Sequence, residues 1–125
     1  MPLTEHEPRD QLPAEVIEQR RAFETVIEEL EAVAWYNERA AASNSPDLAA
    51  VLIHNRNEEI EHAMMALEWL RRTMPAIDEN MRTYLFTSAP ITEIEESEEE
   101  GGGESASGGQ SSAGGLNIGS MKKGA

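Results

Sequence analysis

Glu59 and His62 stand three residues apart, and on a helix side chains at that spacing project from one face as neighbours. A carboxylate and an imidazole held side by side are metal donors. Thirty residues earlier, Glu29 lies inside an apolar run and offers a second carboxylate. A dinuclear centre in a four-helix bundle takes one Glu from each of two helices and a Glu-x-x-His from each of the other two. One copy of this chain carries half of that set. The expected site is therefore completed by a second copy.

The elements that must position these residues read as helices. Strong helix formers dominate, aromatic residues are few, and no stretch alternates as a strand would, so the fold class is all-α. Over Ala14–Ala42 the apolar residues Val16, Phe23, Val26, Ile27, Leu30, Val33 and Ala34 recur at helical intervals, which predicts one amphipathic stripe. The run Ser43-Asn44-Ser45-Pro46-Asp47 breaks it, with Ser45 placed to cap a second helix and Pro46 at its first position. So short a connection predicts an antiparallel hairpin. The second helix spans Pro46–Thr73, Pro75 stops it and opens a shorter third, and Ile77, Met81, Tyr84 and Leu85 share a face of that segment. Ser88-Ala89-Pro90 ends it, and 91–98 has the makings of one or two further turns.

On the second helix the stripe continues through Leu48, Leu52, Asn55, Glu59, His62, Ala66 and Trp69. Glu59 and His62 thus take positions at which the pattern expects apolar side chains. A buried ionised carboxylate costs several kcal/mol unless it is paired or metal-bound. The competing reading is a wet bundle, or simple pairing of these two residues with arginines. Glu29, three after Val26 and four before Val33, sits on the edge of the first-helix stripe and favours the metal. Two hairpins about a two-fold axis would assemble four carboxylates and two imidazoles, a set suited to two iron ions.

Other polar residues admit two readings each. Glu28 and Glu31 flank Glu29 and would lead cations in, or are ordinary helix-surface acids. His54, Glu58 and Glu61 fall at i, i+4 and i+7 on a face rotated away from Glu59, as an outer cation site or a solvated face. Trp35 packs or lines an interface; Tyr36 donates to a metal-bound ligand or anchors an interface.

Composition narrows the classes. A formal net charge of −14, with Lys122 and Lys123 the only lysines, argues against nucleic acid as a partner and for attraction of cations. The absence of cysteine excludes a disulfide framework and a thiolate metal site. No apolar run approaches the ~20 residues that span a bilayer, so no membrane partner is expected. The opening MPLTEHEPRDQLP lacks a basic-then-apolar signal, and a soluble cytoplasmic setting follows as an expectation. The expected organisation is a loose leader at 1–13, a helical domain at 14–98, a disordered acidic and Gly/Ser linker at 99–115, and a terminal peptide at 116–125. In that peptide Leu116, Ile118, Gly119 and Met121 precede two lysines, as in a short segment made to be bound in a partner's groove.

The runs EELEAVAWYNER (28–39), HNRNEEIEHAMMALEWLRR (54–72), RTYLFTSAPIT (82–92) and LNIGSMKK (116–123) closely resemble the encapsulated ferritins. These are ferroxidases carried as cargo inside encapsulin shells. The resemblance implies a two-helix subunit with a short C-terminal helix, dimers that build a ferritin-like four-helix bundle, and five dimers in an open ring. It implies a di-iron centre held by Glu29, Glu59 and His62 of two subunits. It further implies an entry route at Glu28 and Glu31, an aromatic pair at Trp35 and Tyr36, and a peripheral metal site at His54, Glu58 and Glu61. The 116–123 segment is similar to the peptide that docks such cargo on the inner wall of the encapsulin shell, which places the protein inside that nanocompartment. One departure is Ala34, where an acidic residue is typical.

The activity expected is oxidation of Fe²⁺ to Fe³⁺ by oxygen, with storage of the product in the shell. The alternative is a non-catalytic cargo or scaffold module that binds zinc or calcium structurally.

Overall fold

The computed structural model describes residues 4–108. A 3₁₀ turn, Arg9–Gln11, precedes four helices: α1 Ala14–Ala42, α2 Pro46–Thr73, α3 Pro75–Tyr84 and α4 Ile91–Gly108. There is no strand among the described residues. The chain divides into two compact units, Met1–Thr73 and Met74–Ala125.

In the first unit α1 and α2 pack as an antiparallel hairpin. Pro13 enters α1 from extended backbone, and its carbonyl accepts from Val16 and Ile17 at 3.1 and 3.2 Å. Ser43 leaves it in extended backbone, and its hydroxyl accepts the Ser45 N–H at 3.2 Å, a local turn that competes with helix. Ser45 then caps α2: its hydroxyl accepts the Leu48 N–H at 3.2 Å and its carbonyl accepts the first helical bond, from Ala49. Pro46 at the first helical position loses no bond by lacking an N–H. Across the hairpin, Arg56 Nη1 donates to Asn37 Oδ1 at 2.9 Å.

The hairpin does not close a core. Among the described residues only Ala63 and Leu70 are fully buried apolar side chains. They lie seven apart on α2 and are not on the stripe through Leu48, Asn55, His62 and Trp69, so the face against α1 is rotated from the one expected. Leu48 and Trp69, at the two ends of that stripe, are exposed. The α1 stripe is likewise wider than one neighbour can cover, and Val16, Ile27, Leu30 and Trp35 stay exposed. Two helices bury each other along one line only. The remaining apolar surface is left uncovered by the hairpin.

In the second unit α3 begins at Pro75 and is capped by Leu85, whose N–H donates to the Met81 carbonyl at 2.8 Å. Pro90 opens α4, its carbonyl accepting from Glu93 and Ile94. The α4 helix is longer than the one or two turns expected over 91–98, and it takes in the start of the expected linker. Glu95, Glu96, Glu98, Glu99 and Glu100 are good helix formers and carry it on. Burial raises the Tyr84 phenol pKa, and Glu95, Glu98 and Glu99 of α4 raise it further. The rest of the linker and the peptide residues Leu116, Ile118, Gly119 and Met121 lie outside the described residues.

Candidate metal centre

Helical geometry on α2 sets Glu59 and His62 side by side, and His62 Nδ1 meets Glu59 Oε1 at 3.1 Å. The antiparallel run of α1 brings Glu29 to the same place, its Oε1 3.8 Å from His62 Nδ1. Each of the three residues offers one donor atom, and those atoms all lie within 4.8 Å of one another. Both glutamates are about a quarter exposed and His62 about half. The cluster thus sits at the open side of the hairpin, where an ion or a second copy has access.

Electrostatics set these groups apart from ordinary surface acids. Glu29 is raised above the usual carboxylate value, first by a hydrogen bond with Glu59, then by burial and by the charges of Glu59 and Glu28. Glu59 is lowered by the hydrogen bonds it accepts from Glu29 and His62. His62 is raised, chiefly by its bond to Glu59. Two carboxylates compete for one imidazole, so one of them holds a proton more tightly and the other less. Like charges at this range are split in this way unless a cation enters between them.

The donor set fits a metal. Donors on one ion at about 2.1 Å lie roughly 3–4 Å apart, close to the spacing here. Two hard oxygens and one imidazole suit iron, manganese or zinc better than magnesium or calcium. Three donors leave further positions on such an ion open.

No second group of three such residues gathers this closely among the described residues. His54, Glu58 and Glu61 are exposed on their own face of α2. Glu28 is exposed and Glu31 half-buried, both outside the cluster, although Glu28 adds to the field at Glu29. Trp35 is exposed, and Tyr36 carries the Arg39 guanidinium 5.5 Å from its ring centroid. Sequence reasoning found the three clustered residues but not how near α1 brings Glu29 to Glu59. That approach depends on the register of α1 against α2, which spacing within one helix does not reveal.

An all-helical hairpin with a carboxylate–histidine cluster at its open side places the protein in the ferritin-like class. The EncFtn-like family matches residues 4–88, and the chain belongs to that family. It is 50% identical over 121 residues to the encapsulated ferritin-like protein of Rhodospirillum rubrum, covering 94% of this chain and 86% of that one. It is 52% identical over 100 residues to a ferritin-like protein of Thermotoga maritima, covering 80% of this chain and 87% of that one. A crystal structure of a Nitrosomonas europaea protein superposes with a TM-score of 0.68 at 48% identity, covering 70% of this chain and 96% of that chain. No helix among the described residues is long and apolar enough to cross a membrane.

Proposed function

We propose that the chain is a ferroxidase whose di-iron site is shared between two copies, working as cargo of an encapsulin nanocompartment. The observation that carries this reading is the convergence of Glu29, Glu59 and His62 within 4.8 Å at the open side of the hairpin. Two hairpins related by a two-fold axis make a four-helix bundle, cover exposed apolar residues of α1 and α2, and double the donors to four carboxylates and two imidazoles.

Iron bound there supplies the one-electron redox chemistry, with Fe²⁺ as substrate and oxygen as acceptor. The chain's part is electrostatic and positional. Glu29 and Glu59 carry charge that favours the ferric over the ferrous ion, since hard anionic oxygens gain most from the higher charge. The His62 imidazole fixes where the ion sits, and its bond to Glu59 orients the ring beforehand. Protons held by Glu29 and His62 are released as metal enters. Glu28 and Glu31 serve as an acidic approach, and Trp35 and Tyr36 lie along the paired face. His54, Glu58 and Glu61 form a weaker outer cation site. Dimers assemble further into a ring, and the 116–123 peptide docks the ring on the shell wall.

The test is oxygen uptake and ferric absorbance after Fe²⁺ is added to the full chain. Glu59→Ala and His62→Ala are expected to slow oxidation by about 100-fold or more with helix content intact. Oxidation at the parental rate in either variant removes the enzyme reading and leaves a metal-binding cargo protein. Deleting 116–123 is expected to spare oxidation and abolish packaging into a co-expressed encapsulin.

A further inference from the structure

The two fully buried apolar side chains of the hairpin, Ala63 and Leu70, both follow His62 on α2. Among the described residues none lies on the other side of the metal cluster, toward the loop at 43–45. Close packing therefore secures the register of the two helices on one side of the cluster and not on the other. On that other side stands Arg56, half-buried and three residues before Glu59.

Arg56 is tied on both helices. Its Nε and Nη2 donate to Asn57 Oδ1 at 3.2 and 3.0 Å, and its Nη1 crosses to Asn37 Oδ1 of α1 at 2.9 Å. The guanidinium is planar and rigid, so pinning one edge to Asn57 aims the remaining nitrogen at the opposite helix. Its partners also differ in kind from those of other arginines. Arg71, Arg72 and Arg82 each meet a carboxylate, whereas Arg56 meets two neutral amides. Neither a guanidinium nor an amide titrates where carboxylates and imidazoles do. The bridge therefore persists while the cluster exchanges protons or takes up an ion, and it adds no negative charge near a site already rich in it.

The bridge and the cluster share one register. From Glu29 to Asn37 α1 runs eight residues, about 12 Å, and from His62 back to Arg56 α2 runs six, about 9 Å. In an antiparallel pair these are the same direction. A slip of half a turn, about 2.7 Å, breaks the Arg56–Asn37 bond and draws Glu29 off His62 together. The force for such a slip is present, because Glu29 and Glu59 repel when no cation lies between them. We propose that Arg56 is a positioning residue for the metal centre: by bridging Asn57 on its own helix and Asn37 across the hairpin, it holds Glu29 against Glu59 and His62 before any ion arrives. This rests on the metal reading of the cluster and not on its redox chemistry.

Co²⁺ titrated into the full chain, at one protein concentration, tests this, since its visible absorption reports the donors around it. Arg56→Ala and Asn37→Ala are each expected to raise the apparent Kd about fivefold, while the spectrum at saturation keeps its shape because the donors are unchanged. The double variant should bind no more weakly than either single one, since all three lack the same bond. Arg56→Lys keeps the charge but not the fork and should bind as Arg56→Ala does. Parental affinity in Arg56→Lys overturns the bridge in favour of charge alone, and additive losses overturn it in favour of two separate effects. Parental affinity in Arg56→Ala with a lower melting temperature also overturns it, leaving a residue that serves stability only. Should Arg56→Ala fail to fold, Asn37→Ala deletes the crossing bond from an exposed position and decides in the same way. A parent that binds Co²⁺ but oxidises no iron sinks the ferroxidase reading and leaves this test intact. A parent that binds no Co²⁺ sinks the metal reading and the positioning role with it.

Discussion

Two carboxylate clusters on α2 lie nine residues apart and are built in opposite ways. Glu68 is over-supplied with cations: Arg71 donates from Nε and Nη2, each at 2.8 Å, and Arg72 from Nε at 2.8 Å. Two guanidinium groups hold its pKa at about 2. Glu59 and Glu29 are under-supplied, two carboxylates against one imidazole, and their pKa values are driven apart. In sequence the two look alike, Glu-x-x-Arg and Glu-x-x-His. The difference is the third member: α1 brings a second carboxylate beside Glu59 and His62, whereas α2 itself brings a second guanidinium to Glu68. A carboxylate satisfied by fixed arginines has little to gain from a further cation, whereas one crowded by another carboxylate would gain from one.

The largest expected effect separates the clusters by metal response. Binding to the folded state alone stabilises it by about 2.7 kcal/mol when free metal is at 100 times its dissociation constant. Anaerobic Fe²⁺ should raise the melting temperature of the parent and of Glu68→Ala alike, and should leave Glu59→Ala and His62→Ala unmoved. Loss of the response in Glu68→Ala would break the comparison, since a neutralised carboxylate would then be a ligand.

A second experiment turns one cluster into the other. His62→Arg gives Glu59 and Glu29 a permanent cation with a fork that fits carboxylates. Metal binding should vanish, and the metal-free protein should become slightly more stable, as expected for a partly exposed pair. Chemical denaturation with and without metal reads both effects. A variant that still binds iron would show that charge compensation is not what distinguishes the clusters.

How far such a site is legible in sequence follows from the same contrast. The breaks at Ser43, Pro46 and Pro75 were readable because capping and proline chemistry are local, and α1, α2 and the start of α3 fall where those residues put them. The three clustered residues were readable from helical spacing and their setting in apolar runs. The buried line of the hairpin was not: Ala63 and Leu70 carry it, while Leu48 and Trp69 stay exposed. Periodicity gives a stripe but not which part of it one neighbour covers, and here much of the stripe stays exposed. The length of α4 was missed because glycines at 101–103 read as linker, although the preceding glutamates favour helix. The conformation of Phe86, at φ 63°, gave no signal, as a Phe in a sequence does not announce positive φ.

A smaller effect probes the carboxylate pair itself. Glu29 is raised from 4.5, so the folded state binds its proton more tightly than the unfolded chain does. Stability from this group is present at low pH and declines as pH rises from 4.5 through the raised value. Glu29→Gln keeps a donor toward Glu59 and never ionises. In the metal-free state its melting temperature should match the parent near pH 4 and exceed it at neutral pH, at the cost of weaker metal binding. A constant offset across that range would mean that the effect of the substitution is packing rather than charge.

The smallest effect belongs to Glu68. Its folded pKa of about 2 lies below the ordinary 4.5, so ionised Glu68 contributes stability that is fully present above pH 4.5 and is lost as pH falls toward 2. The side chain is about two-fifths exposed, so water and salt weaken the contribution. Glu68→Gln should therefore be slightly less stable than the parent at pH 6, with the gap closing across that acid window. Added salt should narrow the gap at pH 6, because screening acts on the charged pair and not on the amide. Urea midpoints measured down the pH series read the difference, and the carboxyl carbon shift of Glu68 reports the same titration directly. A carboxyl that titrates near 4.5 would mean that the two arginines do not hold it in solution. Glu68 would then be as open to a cation as Glu59, and geometry alone would be left to explain why the metal responds to one cluster and not the other.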